Sequence, residues 1–183
     1  MALLETDVKA LRSKALSRLQ ETLLSMASFV EIQKPWLMHA AKAHREGYFV
    51  ESSYLSLHQI HLVLRKGLWL AAQEEAVAME GSAGDRFLYR LLLHPERLLP
   101  AVVPDTELFG AALEHGLLDA ATRDRLLRLH GETPVVVRNL FLATEEPHAI
   151  LERHSGELLR INKLCLRLLQ RKLKEAEGAV KKM

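Results

Sequence analysis

The chain has 183 residues, of which 49% are apolar and 26% are charged, and its formal net charge is +2. This length suits one domain, and the apolar share excludes wholesale disorder because it supplies enough side chains for a sizeable core. The single cysteine excludes an internal disulfide, and no apolar run reaches the roughly 20 residues that a membrane-spanning helix needs.

Leucine dominates the apolar residues: 37 of the 183 residues are Leu, whereas aromatic residues make up 5%. Leucine and alanine favour helices, and the β-branched and aromatic residues that favour strands are scarce. The opening residues, MALLETDVKALRSK, lack the basic and apolar regions of a secretory signal peptide. The composition therefore predicts an all-α protein that is cytoplasmic and has no membrane partner.

The small net charge hides an asymmetry along the chain. Residues 153–183 carry nine Lys or Arg and three Asp or Glu, a net charge of +6, while the other 152 residues carry sixteen and twenty, a net charge of −4. We therefore expect a mildly acidic body with a basic carboxyl-terminal segment, which is a candidate for contact with an anionic partner.

The first predicted helix runs from about Thr6 to Phe29, where apolar residues recur every three or four positions. Proline is tolerated in the first turn of a helix, so Pro35 is expected to open a second helix, which Gly47 ends. The third predicted helix, over 50–72, carries two apolar stripes, which is typical of a central helix that packs on both sides.

Glycines and prolines divide the rest of the chain into shorter segments. We expect a loop over 79–85, a short helix over 86–93 and a break over 100–104. Four helices should follow: one from Asp105 to Gly116, one from Asp119 to His130 and Gly131, a short one from Thr133 and Pro134 to Leu142, and a last one from Pro147 to about Glu177. This succession predicts a single antiparallel bundle of seven or eight helices. Residues 1–33 would form its amino-terminal helix, residues 34–177 the bundle and residues 178–183 a frayed tail.

The last predicted helix has two different faces when its residues are placed about 100° apart. The apolar arc consists of Leu158, Ile161, Cys165, Leu168 and Leu169. The opposite arc is cationic and consists of Arg160, Lys163, Arg167, Arg171 and Lys174. One interpretation is a surface that binds the phosphates of a nucleic acid or an acidic protein. The other is a solvated face whose Lys and Arg are good helix formers. No aromatic residue interleaves the cations, which disfavours base stacking along them.

Residues suited to metal binding or nucleophilic chemistry are sparse. His58 and His61 are near enough to share an ion, but no nearby Cys or acidic residue completes a ligand set, and His61 lies on an apolar stripe as a core histidine would. Cys165 is expected to be a buried, inert thiol. The glycine-rich phosphate loops and the G-x-S-x-G element of hydrolases are absent. We therefore expect no metal site and no cofactor.

Two stretches have patterns that occur together in one family of helical bundles. In 40–71, A-A-K-A-H-R-E-G-Y-F-V-E-S-S-Y-L-S-L-H-Q-I-H-L-V-L-R-K-G-L-W-L-A, a helix ends in Gly-Tyr and a long helix with small residues and a Gln follows. In 113–143, L-E-H-G-L-L-D is followed by R-L-L-R-L-H-G and then by R-N-L-F-L-A. Over roughly 35–171 the chain thus resembles HEPN domains, which bind nucleotides or cleave RNA.

The resemblance implies an Arg-Asn-x-x-x-His signature that meets its copy across a dimer interface, where the arginine holds the scissile phosphate and the histidine moves a proton. Arg138 and Asn139 match the Arg-Asn pair, but the histidine position falls on Ala143, which cannot transfer a proton. A competing placement pairs Arg125 with His130 and lacks the asparagine. Without either role, Arg138 and Asn139 form an exposed helical turn and His130 lies favourably at a helix carboxyl end.

These observations together predict a non-catalytic HEPN-like module that binds nucleic acid, a nucleotide or a protein partner, within a toxin–antitoxin or nucleotidyltransferase-associated system. Leucine-rich faces left uncovered predict a homodimer, and the resemblance implies a nucleotidyltransferase as a further partner. One alternative is an active metal-independent ribonuclease that uses Arg125 or Arg138 with His130. Another is a structural helical protein unrelated to that family.

Overall fold

A computed structural model of the chain describes residues 2–78, 105–140 and 146–180. These residues form five α-helices and no strand: α1 (Ala2–Arg45), α2 (Phe49–Ala78), α3 (Asp105–Glu114), α4 (Ala120–Asn139) and α5 (Glu146–Val180). The all-α prediction is therefore confirmed. The predicted loop, short helix and break between 79 and 104 lie outside the described residues, so the total of seven or eight helices stays a prediction.

The predicted helix boundary at Pro35 is wrong, because α1 continues through this residue without a break. A proline inside a helix removes one backbone hydrogen bond and costs about 3 kcal/mol. However, Val30 and Gln33 before it and Ala40 after it are buried on one continuous face of the helix. Packing of that face against the rest of the protein outweighs the local cost of the proline. Local sequence signals for helix ends do not include this packing.

The prediction that one helix ends at His130 and Gly131 and another begins at Thr133 is wrong for the same reason. α4 contains both Gly131 and Pro134 and ends only at Asn139. Leu129 and Thr133 are fully buried on the same side of this helix. The buried side therefore continues across the two residues that were expected to interrupt it.

Other helix ends lie where the sequence predicts them. Gly47 and Gly116 have positive φ angles of 85° and 66°, a conformation that glycine adopts readily and that ends helices. Asp119 caps α4, because the Thr122 N–H donates to its Oδ1 at 2.7 Å; this hydrogen bond lowers the pKa of the Asp119 carboxyl. α5 begins one residue before Pro147 and continues three residues past the predicted end at Glu177.

The helices form a bundle around α2, which contacts all four others, as predicted for the third helix of the chain. α1 reverses into α2 at Gly47, and α1 is also antiparallel to α5, because His44 meets Ser155 while residues near Ala27 meet Leu173. α2 and α5 therefore run parallel to each other. α4 packs along α5, and α3 covers α2 and α4.

The core is made mainly of leucine side chains from all five helices. Its largest fully buried members are Phe109, Met26, Ile60, Leu64, Leu70, Leu108, Leu126, Leu129, Leu151, Leu158 and Leu169. None of the described helices combines the length and the apolar character needed to cross a membrane.

Candidate functional site

α5 exposes one side that is rich in cations. We call the exposed side chains of this row the basic face; they are Arg160, Lys163, Arg167, Arg171 and Lys174. The opposite side of the helix is buried through Leu158, Ile161, Cys165 and Leu169, which confirms the predicted division of the helix into two faces. At 1.5 Å per residue the basic face is about 21 Å long.

Two cations of the basic face have partners within the protein. The Arg160 Nε–H donates to the Gly156 carbonyl oxygen at 3.2 Å, and the Arg171 Nε lies 3.6 Å from Glu175 Oε1 in an exposed ion pair. Exposed pairs of this kind contribute about 0.5 kcal/mol and open easily. Within the part of the chain that the structure describes, no ion pair is made by the other three, Lys163, Arg167 and Lys174.

α4 adds two arginines beside the basic face. Arg125 Nε lies 3.8 Å from Glu157 Oε1, and Arg128 Nη2 lies 3.3 Å from Glu157 Oε2. Glu157 is half-buried and precedes Arg160 by one helical turn. Two positive charges therefore surround one negative charge, and the positive surface extends from α5 onto α4. No local sequence pattern indicates Arg128 as part of this surface, because only the packing of α4 on α5 brings it here.

The residues predicted from the HEPN resemblance do not converge within one chain. Arg138 and Asn139 are exposed in the last turn of α4. His130 lies on the same continuous helix, eight residues earlier and thus about 12 Å away along the axis. Arg125 lies further still and pairs with Glu157. Ala143, where the family places its histidine, is outside the described residues.

His130 belongs to a half-buried ring cluster rather than to an open cleft. Its ring centroid lies 5.6 Å from that of His61 and 6.0 Å from that of Phe109. His58 points away, since it is exposed on α2. Among the described residues, no three His, Cys, Asp or Glu side chains are grouped as a metal site requires.

Cys165 is buried, as predicted, with 1% of its surface exposed. Its burial in an apolar environment disfavours the thiolate and raises the pKa of the thiol to about 12. At neutral pH the thiol is therefore protonated and shielded, and it is unsuited to nucleophilic attack.

A pocket of about 400 Å³ opens at the end of the bundle where α1 turns into α2. We call it the aromatic pocket; its lining residues are Gly47, Tyr48, Phe49, Val50, Glu51, Leu140, His148 and Leu151. The rings of Phe49 and His148 meet edge to face with centroids 5.2 Å apart, and Tyr48 is 60% exposed at its rim. No local sequence pattern indicates this pocket, because three separate segments of the chain form it.

A chain of buried amides holds α1, α2 and α5 together near the middle of the bundle. Asn162 Nδ2 donates to Gln59 Oε1 at 2.7 Å, and Gln59 Nε2 donates to the Gln33 carbonyl oxygen at 3.0 Å and to its Oε1 at 3.2 Å. All three side chains are at least 95% buried. Buried polar groups are stable only when hydrogen-bonded, so this polar layer specifies how the three helices align.

α5 is also tied to α1 near the aromatic pocket. His44 Nδ1 and Ser155 Oγ are 2.9 Å apart and share a hydrogen bond. The next residue, Gly156, leaves room for the imidazole, because a Cβ there would lie 3.4 Å from His44 Cε1. The His44 ring in turn packs on Phe49, with centroids 5.4 Å apart. These contacts place the amino-terminal part of α5 beside the aromatic pocket.

His154 links α5 to α4 on the opposite side. Its Nε2 lies 3.2 Å from Glu132 Oε2, and 9% of the residue is exposed. Burial lowers the pKa of His154 below 6.5, although the negative charge of Glu132 acts in the opposite direction. The imidazole is therefore neutral at physiological pH.

Comparison of the chain with models of known protein families, with curated proteins and with solved structures found no match. The HEPN resemblance therefore rests on the two sequence stretches alone. The function has to be argued from the surfaces and pockets of this chain.

Proposed function

We propose that the protein is a non-catalytic helical module that binds nucleic acid through its phosphate backbone, with the basic face of α5 as the main contact surface. The observation that carries this proposal is the exposure of all five cations on one face of α5. Three of them make no ion pair with a described residue, so their charge is available to an anionic partner.

The surroundings of the basic face favour binding of an extended polyanion over a small one. The cations are spread over about 21 Å and do not converge on one point. Arg125 and Arg128 neutralise Glu157, the acidic residue of α5 that lies one turn before Arg160. A nucleic acid strand supplies a regular row of negative charges, which matches such an extended arrangement.

The chemistry of the basic face supports binding without cleavage. Arginine and lysine hold phosphate oxygens well, but a guanidinium group stays protonated at neutral pH and so cannot accept the proton of an attacking hydroxyl. Phosphate contacts also carry no sequence information, so binding through this face should tolerate many sequences. The HEPN-like sequence pattern agrees with a nucleic-acid role, and a homodimer or a nucleotidyltransferase partner stays a prediction of that resemblance.

The test is fluorescence anisotropy of a labelled single-stranded oligonucleotide at increasing salt concentrations. If five phosphates are contacted, the slope of log affinity against log salt should be roughly −3.5. Replacement of Lys163, Arg167 and Lys174 by Ala should weaken binding and reduce the steepness of that slope by about 2.

The matched control replaces three cations of α1 by Ala: Lys34, Lys42 and Arg45. They are also exposed but lie outside the basic face, and Lys34 and Lys42 pair with Glu31 and Glu46. Affinity and slope should therefore stay near the wild-type values. An equal loss in both triple variants, affinity that does not depend on salt, or no binding at all would overturn the proposal. Equal competition by polyaspartate at the same total charge would assign the face to an acidic protein instead.

A further inference from the structure

We propose that the aromatic pocket binds an unpaired base of the strand that lies along α5, so that the protein selects single-stranded over duplex nucleic acid. This inference rests on the proposed function and adds to it a second contact surface, a ligand group and a substrate class.

The first observation is the character of the pocket. Its volume of about 400 Å³ lies within the range that small ligands occupy, and its walls are largely apolar. The exposed ring of Tyr48 and the edge-to-face pair of Phe49 and His148 provide aromatic surface at the rim and in the wall. Such a surface suits the flat face of a nucleobase, because base–aromatic stacking needs no particular pattern of hydrogen bonds.

The second observation is the position of the pocket relative to the basic face. His148 and Arg160 lie on the same helix, about 18 Å apart along its axis. Between them α5 exposes Arg153. A strand held by Arg160 therefore meets a further cation on its way to the pocket. Glu152 is the exposed acidic group in this stretch, and Arg153 adjoins it in sequence.

The third observation concerns the class of nucleic acid that can use both surfaces. Bases of a duplex are paired and stacked, and bringing one out costs a few kcal/mol. An unpaired strand has a smaller cost, because no base pair has to be broken. Simultaneous contact with the basic face and the aromatic pocket therefore favours a single strand.

The experiment compares three labelled ligands, each about 12 nucleotides long: a single strand, an abasic strand with the same number of phosphates, and a duplex. Wild-type protein should bind the base-containing strand about tenfold more tightly than the abasic strand, as expected for one stacked base. It should also bind that strand more tightly than the duplex, and equal or tighter binding of the duplex would overturn the selection of single strands. Tyr48→Ala should remove most of this difference and leave binding of the abasic strand unchanged. Tyr48→Phe should retain the difference, since it keeps the ring.

Tyr54→Ala is the matched control, because Tyr54 is 48% exposed on α2 but does not line the pocket. It should bind all three ligands as the wild type does. Equal wild-type affinity for the abasic and base-containing strands, or full base-dependent binding by Tyr48→Ala, would overturn the base pocket while leaving backbone binding intact. Failure of the wild type to bind any of the three ligands would overturn the proposed function as well.

Discussion

The two halves of the bundle bury different kinds of side chain, although the same helices α1, α2 and α5 run through both. On one side of the Gln33–Gln59–Asn162 layer, buried residues of these helices include four serines and a histidine: Ser52, Ser53, Ser56, Ser155 and His154. On the other side, over 19–30, 60–71 and 165–176, every buried residue whose side chain the structure describes is apolar or glycine. We call these the polar half and the leucine half.

The difference indicates separate physical roles for the two halves. Burial of a leucine side chain contributes about 1.5–3 kcal/mol, so the leucine half supplies most of the stability. A hydrogen bond contributes only about 1 kcal/mol net, but a wrong alignment leaves its buried partners unsatisfied. The amide layer and the His44–Ser155 hydrogen bond of the polar half therefore determine how the helices align, and the latter lies beside the aromatic pocket. The hydroxyls of Ser52, Ser53 and Ser56 have no hydrogen-bond partner among the described residues and add nothing to this alignment.

The largest effect on stability is expected in the leucine half. Leu169→Ala removes a side chain that is 1% exposed and leaves a cavity among closely packed helices. The free energy of unfolding should fall by about 2–5 kcal/mol, measured by urea denaturation with circular dichroism. A loss below about 1 kcal/mol would show that the leucine half is loosely packed and does not supply most of the stability.

A smaller loss of stability is expected when the Gln33–Gln59–Asn162 layer is broken. Asn162→Ala removes the donor that satisfies Gln59 Oε1 and should lower the free energy of unfolding by about 1–3 kcal/mol. Asn139→Ala is the matched control, because that side chain is exposed and its loss should stay within about 0.5 kcal/mol. Equal effects of the two substitutions would mean that the buried amides do not hold the helices in alignment.

The third prediction concerns pH and the polar half. Because burial lowers the pKa of His154 in the folded protein, the unfolded chain takes up the proton first as the pH falls below 6.5. The contribution of His154 to the free energy of unfolding is therefore fully present above pH 6.5. It decreases as the pH falls towards the folded-state pKa of His154. Urea midpoints at about pH 7.5 and about pH 5.5 should differ more in the wild type than in His154→Gln. Identical differences in the two proteins would contradict this assignment.

The smallest effect on stability is expected at the solvent side of α5. Lys163→Ala combined with Arg167→Ala removes two exposed cations, so the free energy of unfolding should change by no more than about 0.5 kcal/mol. Thermal unfolding of the double variant checks this. A large destabilisation would mean that these side chains serve the fold, and any loss of binding could then not be assigned to the basic face.

Local sequence signals predicted the features that depend on a few neighbouring residues. Gly47 and Gly116 end helices because a positive φ angle is accessible to glycine at little cost. Asp119 caps α4 because its carboxylate reaches the Thr122 N–H three residues later. The two faces of α5 follow from helical periodicity alone, and the structure confirms them, except that Leu168 of the predicted apolar arc is only half-buried.

Signals that compete with tertiary packing led to wrong predictions. Pro35 and Pro134 disfavour a helix locally, yet both lie within continuous helices. Their cost of a few kcal/mol is smaller than the gain from keeping a long apolar face buried. Both prolines are visible in the sequence, but only the packed bundle shows that burial against the neighbouring helices outweighs their cost.

The amino-acid sequence by itself determined the helical class, the amphipathic pattern of α5 and the concentration of positive charge near its end, because composition and a period of 3.6 residues suffice for these. Only the tertiary structure decided that Arg125 and Arg128 flank Glu157, that three buried amides join three helices, and that Tyr48, Phe49 and His148 share one pocket. These residues are far apart in sequence, and no local pattern records which distant side chains will meet when the helices pack.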